Sequence, residues 1–198
     1  TKISDEGVEF RSHWDGSLHT FTPEKSIEIQ HVLGADIILA FDDCTPYPVT
    51  HGQAARSLSR THAWAKRSLE AHSGTQALYG VVQGSVYEDL RVESAKRIGS
   101  MGFDGIAIGG VSVGESKKEM NNVLDWVMPY LPDDKPRHLL GVGEIDDIFE
   151  LVSRGVDAFD CVQPTRLARM GKLLGKNTID ITKKQYAADP TPIEGGFS

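Results

Sequence analysis

Five short, nearly unbroken apolar runs, each separated from the next by a stretch of helical character, constrain this chain more than any other feature. The runs are 36–41 (DIILAF), 77–82 (ALYGVV), 105–110 (GIAIGG), 138–142 (HLLGV) and 157–160 (DAFD). A strand that is apolar throughout, rather than at alternate positions, is buried on both faces, as in a parallel sheet covered by helices. Helices are expected over 52–72, 86–101, 117–131 and 145–153, the first with Ala54, Leu58, Ala65 and Leu69 as its inner stripe. Repeated strand–helix–strand units imply an α/β fold with right-handed crossovers.

A small β segment precedes these units. Lys2–Ser4 and Val8–Arg11 flank the turn signal Asp5-Glu6-Gly7, and Asp15-Gly16 marks a second turn. Thr22 can cap a helix that Pro23 opens, since proline has no amide to leave unpaired, and Gly34 ends it. Five units do not close an eight-stranded barrel, which takes about 250 residues, so an open doubly wound sheet and an incomplete barrel compete. No glycine-rich phosphate or dinucleotide loop follows the first apolar run, which speaks against the open sheet. A start at Thr1 without an initiator Met suits a fragment. The expectation is a single domain over 1–198, an incomplete (β/α)8 TIM barrel of about five β/α units.

At 39% hydrophobic and 25% charged residues the composition is that of an ordinary globular chain. No window approaches the roughly 18 apolar residues of a membrane span, and no signal peptide opens the chain, so no membrane partner is expected. Cys44 and Cys161 are the two cysteines and show no paired metal-ligand spacing, which points to a reduced, cytoplasmic protein. The formal charge of −7 argues against a general nucleic-acid binder. Yet 161–188 holds six bases (Arg166, Arg169, Lys172, Lys176, Lys183, Lys184) and one acid, Asp180. Such a stretch is either a phosphate-binding edge or a solvated surface loop, and charge alone leaves both open.

Active sites of parallel barrels form at the C-terminal ends of the strands. Those ends read Asp42-Asp43-Cys44, Gln83-Gly84, Gly109-Gly110, Gly141-Val142-Gly143 and Asp160-Cys161. Carboxylate and carboxamide together supply the acceptors and donors that read a purine edge, and a second carboxylate can attack an electron-poor carbon, as in glycosyl transfer. Taken singly, an aspartate there also serves as a helix cap and a glycine as a tight turn.

The words around these residues are more specific. FRSHWDGS (10–17), FDDCTPYP (41–48), VQGS (82–85), GGVSVGE (109–115), LGVG (140–143) and FDCVQPTRLAR (159–169) closely resemble the tRNA-guanine transglycosylases, in that family's order and over nearly the whole chain. The resemblance implies the central and C-terminal part of a (β/α)8 catalytic barrel. It implies exchange of guanine at the anticodon wobble position of tRNA for a 7-deazaguanine, in the bacterial type 7-aminomethyl-7-deazaguanine on the way to queuosine. Asp160 would be the nucleophile that attacks C1′ of the ribose. Asp42 and Gln83 would bind the base edge, with Cys44, Gly109 and Gly110 lining the pocket and Leu140 apolar against the base. Glu115 would help accept the aminomethyl group, and Val113, where eukaryotic relatives carry glycine, would favour that small base over queuine. Arg166 and Arg169 would contact the anticodon loop.

The resemblance also implies a homodimer and, in the full-length family member, a zinc site of three cysteines and a distant histidine. Those cysteines are expected beyond Pro192-Ile193, near Phe197. None of the seven histidines has metal spacing with either cysteine, so no metal is expected in this chain. A further catalytic aspartate of the family, in an SGGFQ-containing segment, is expected before Thr1. The competing reading is a non-catalytic tRNA-binding or partner subunit of the same family, which would have lost the carboxylates. A phosphate-binding barrel lyase would need a glycine-rich anion site and a strand-end lysine, and neither is present.

Overall fold

The computed structural model describes residues 1–174 and 178–191. They divide into two compact units, Thr1–Asp160 and the segment from Cys161 onward. In the first, β1 (Lys2–Ile3), β2 (Val8–Arg11) and β3 (Leu18–Phe21) form an antiparallel sheet in that order; β3 was not anticipated beyond its turn. Helix α1 (Pro23–Leu33) starts and stops as expected. The Thr22 hydroxyl accepts from the Lys25 amide at 3.2 Å, and Gly34 takes a left-handed φ of 71°.

The five apolar runs become β4 (Ile37–Leu39), β5 (Ala77–Val82), β6 (Gly105–Ile108), β7 (Arg137–Leu139) and β8 (Ala158–Phe159), all parallel. Their order in the sheet is β4-β5-β6-β7-β8. Each strand lies beside its sequence neighbour with no reversal, as in a barrel; a doubly wound sheet reverses at a switch point. The architecture is an incomplete TIM barrel. Four helices cross between or follow the strands: α2 (His51–Ala71), α3 (Glu88–Gly99), α4 (Lys117–Val127) and α5 (Ile145–Ser153).

Both faces of the sheet are covered. Ile38, Leu78, Val82, Ile106, Ile108 and Leu139 belong to the main core with the helices, while Tyr79, Val81 and Ala107 gather on the opposite face with Leu39 and Leu140. The period of two explains why the runs are apolar at every position.

Several boundaries differ from expectation for local reasons. The helix expected to run to 131 ends at Val127, because Pro129 cannot continue the amide ladder and the chain tightens into a 3-10 turn over Met128–Tyr130. The fourth strand is Arg137–Leu139 rather than 138–142, since Gly141 turns into the left-handed region at φ 74°. The first strand is three residues long, and the helix expected over 86–101 spans Glu88–Gly99. On α2 the inner face is wider than the expected stripe: Thr61, His62, Trp64 and Ser68 are buried with Ala54, Leu58 and Ala65, and Leu69 is only half-buried.

In the second unit a short helix α6 (Gln163–Arg169) is followed by β9 (Lys172–Leu173), paired antiparallel with β10 (Ile179–Asp180), and a 3-10 turn over Lys184–Tyr186. No local periodicity in the sequence marks these short elements. Lys176 of the basic stretch, Pro192-Ile193 and Phe197 lie outside the described residues.

Candidate active site

The paired aspartates after β4 have opposite surroundings. Helix α2 holds Asp43: the Ser57 hydroxyl donates to its carbonyl at 2.7 Å, its amide donates to the Thr61 hydroxyl at 3.0 Å, and its carboxylate pairs with the Arg60 guanidinium. Asp43 is buried and fastens the strand end to the helix. Asp42 instead accepts, through Oδ2, a 2.7 Å bond from Gln83 Nε2 at the end of β5. Burial pushes the Asp42 carboxyl above its ordinary value and the Asp43 charge adds to this, against the opposing effect of the Gln83 bond.

Gln83 is 3% exposed, and its main-chain N–H donates to Ser94 Oγ of α3 at 3.1 Å. Its carboxamide lies against Gly109 and Gly110. A Cβ on Gly109 would stand 2.7 Å from Gln83 Nε2, and one on Gly110 would stand 2.5 Å from Oε1, so side chains there would displace the carboxamide. Gly110 also has φ 63°. Cys44 follows in the same segment and is exposed. Its thiol is nonetheless held above the ordinary value, first by desolvation around the sulfur and then by the Asp42 charge, which disfavours a thiolate nucleophile.

Arg91 of α3 was not anticipated. It is fully buried and donates to the carbonyls of Ser85, Val82, Gly109 and Gly110 at 2.6 to 3.2 Å. Its sequence signal was its place on the inner stripe with Ser94, Ala95 and Ile98, where a charge must have partners.

Asp160, just past β8, lies half-exposed. Its Oδ1 accepts from His138 Nε2 at 3.0 Å and from the Gly141 amide at 3.1 Å. One oxygen is held, and the other, Oδ2, has no hydrogen-bond partner among the described residues. His138 was hidden in the sequence because the run 138–142 read as a uniform strand. The segment after β6 reaches toward this group: Ser112 donates to the Gly141 carbonyl at 3.0 Å, and Glu115 accepts from the Val113 amide at 3.0 Å. Val113 is exposed, and Leu140 is half-buried against the Tyr79 cluster. Thus Asp42, Gln83, Gly109 and Gly110 form one group of contacts, Asp160, His138, Gly141 and Ser112 another, and the 109–115 segment belongs to both.

The whole chain, residues 1–198, matches the family model described as queuine tRNA-ribosyltransferase. The chain belongs to the queuine tRNA-ribosyltransferase family. Among curated relatives it is 51% identical over 201 residues to the queuine tRNA-ribosyltransferase of Zymomonas mobilis subsp. mobilis, covering 98% of this chain and 52% of that protein. It is 53% identical over 196 residues to the one of Thermoanaerobacter sp. strain X514, with the same coverage of 98% and 52%. The chain therefore spans about half the length of the curated relatives it matches.

Arg166 and Arg169, which the family resemblance assigns to the anticodon loop, are exposed on α6 of the second unit. Among the described residues no three His, Cys, Asp or Glu side chains converge as a metal would need. The segment at which the cysteines of the implied zinc site are expected, around Phe197, is outside the described residues. Among the described residues no helix is long and apolar enough to cross a membrane.

Proposed function

We propose that the full-length protein is a tRNA-guanine transglycosylase that exchanges a guanine in tRNA for 7-aminomethyl-7-deazaguanine by double displacement. The observation that carries the reading is a division of labour among strand-end carboxylates: Asp42 is half-buried and paired with a carboxamide, while Asp160 has one oxygen held and one without a partner among the described residues. Asp42 and Gln83 present acceptor and donor atoms to the purine edge. A desolvated carboxylate whose ionisation is disfavoured gains from a base that arrives with donors, which makes this pair selective for guanine-like edges.

Asp160 Oδ2 attacks C1′ of the ribose. The C1′–N9 bond breaks and its electron pair leaves with guanine, giving a ribosyl ester on Asp160. N9 of the incoming base then attacks C1′ from the opposite side, loses its proton, and the ester electrons return to the Asp160 carboxylate. Two displacements retain configuration, the logic of retaining glycosidases. Val113, whose amide donates to Glu115, is the residue that limits room for a bulky 7-substituent in this reading, in keeping with the small aminomethyl base. Arg166 and Arg169 supply the anticodon-loop contacts, where extruded bases are read beside the phosphates. A second copy of the chain is proposed as a partner on the family resemblance.

The test is incubation of the full-length protein with unmodified tRNA and radiolabelled guanine. Label should enter acid-precipitable tRNA and be chased out by 7-aminomethyl-7-deazaguanine. A protein that binds tRNA yet incorporates no label is not a transglycosylase.

A further inference from the structure

Arg91 is a buried charge to which base exchange, as described, gives no task. Among the described residues its guanidinium forms no ion pair with a carboxylate, Glu115 acting on it only through space; all four of its bonds go to main-chain carbonyls, two at the end of β5 and two at the end of β6. Burying a charge without a contacting ion-pair partner is costly, and sheet pairing does not require it here. The β5–β6 ladder is complete from Tyr79–Gly105 to Val82–Ile108, and the Gly109 amide donates to the Val82 carbonyl as its last rung. Arg91 acts just beyond that rung, on the Gly109 and Gly110 carbonyls, where the ladder has stopped. A planar fork with five donors in fixed directions suits that task, and the flexible ammonium of a lysine does not.

The consequence lies on the other side of the same peptides. In a trans peptide the C=O and N–H point in opposite directions. Carbonyls of Gly109 and Gly110 turned onto Arg91 therefore turn the amides of Gly110 and Val111 away from it. The Gln83 carboxamide lies against the same two glycines.

We propose that Arg91 is a positioning residue of the base site, fixing the Gly109–Gly110 and Gly110–Val111 peptide planes so that their N–H groups stand as ready donors to the carbonyl of a guanine-like base. The inference rests on the base-exchange reading and adds a residue to it. Burial draws the Arg91 guanidinium down to about 10, so it stays cationic at neutral pH. Its charge behind the two peptides also polarises them toward the negative charge that gathers on the departing base.

The experiment uses the full-length protein with Arg91→Lys and Arg91→Met. Steady-state kinetics separate KM for guanine, KM for tRNA and kcat, and circular dichroism melts report folding. Arg91→Lys should fold, raise KM for guanine about tenfold, the order of one lost charge-assisted bond, and leave KM for tRNA within about twofold. Arg91→Met should lower kcat in addition, because the charge is gone. A folded Arg91→Lys protein with unchanged KM for guanine overturns the proposal, as does a parallel loss in both substrates' KM. Hydrogen exchange on the wild-type protein decides the matter if neither variant folds: guanine should slow exchange of the Gly110 and Val111 amides, and no slowing there overturns the assignment. Wild-type protein that neither binds nor exchanges guanine refutes the base-exchange reading itself, before any Arg91 variant is made.

Discussion

Asp42→Asn should make the protein more stable, because a desolvated charge is removed, and less active, because an acceptor becomes a donor. Asp42 Oδ2 accepts from Gln83 Nε2 at 2.7 Å. An asparagine oxygen can take that same bond, so the strand-end contact survives. Its NH2 group replaces the second carboxylate oxygen and turns an acceptor into a donor against the donor edge of guanine. A hydrogen bond to a charged group contributes about 1.5–3 kcal/mol, which is roughly a tenfold to hundredfold loss in kcat/KM for guanine at about 1.4 kcal/mol per decade. KM for tRNA, held mainly by phosphate contacts, should not move.

Stability moves the other way. Burial raises the Asp42 carboxyl above its unfolded value. The folded state therefore binds the proton more tightly, and stability falls as pH rises through the window that opens near the ordinary aspartate value of about 3.9. Asparagine carries no such penalty. Its advantage should be absent in acid, where both forms are neutral, and grow toward neutral pH. Thermal melts at about pH 3, below the ordinary aspartate value of about 3.9, and at about pH 8, with initial rates of labelled guanine incorporation, measure both effects. Incorporation within about twofold of wild type, or a variant that melts below wild type at the higher pH, would refute the assignment of Asp42 to base recognition.

His138→Phe removes one of two donors to Asp160 Oδ1; ester formation should slow about tenfold, discounted for the half-exposed carboxylate, with tRNA affinity unchanged and His138→Gln partly restoring the rate. Val113→Gly should raise use of queuine relative to 7-aminomethyl-7-deazaguanine in competition assays, and an unchanged ratio would remove this side chain as the size gate. Arg166→Ala and Arg169→Ala should each reduce the salt dependence of tRNA affinity by about one counterion if they bind phosphate, or lose discrimination against anticodon loops altered next to the exchanged guanine if they read a base. Variants that keep wild-type affinity, salt slope and loop preference would return this stretch to an ordinary solvated surface.

The sheet was legible because period-two burial on both faces writes itself as apolar runs, and because Thr22, Pro23 and Gly34 are local signals that need no tertiary partner. Long-range hydrogen bonds were not legible. Nothing local distinguishes Asp43, bound by Arg60, from Asp42, bound by Gln83; the division depends on α2 crossing one and β5 meeting the other. Arg91 and His138 were missed because their partners are main-chain atoms and a carboxylate on other strands. The elements after Asp160 were missed because two-residue strands and a seven-residue helix carry too few residues for a period to show.

The most direct measurement is a covalent one. Full-length protein mixed with tRNA, in the absence of an incoming base, is denatured and resolved by mass, and the adduct is digested and sequenced by fragmentation. A tRNA-sized adduct carried by Asp160 should form with wild type and vanish with Asp160→Asn, while Asp42→Asn should still form it, more slowly. An adduct that persists in Asp160→Asn at wild-type yield, or maps to another side chain, would contradict the role of Asp160 as the nucleophile.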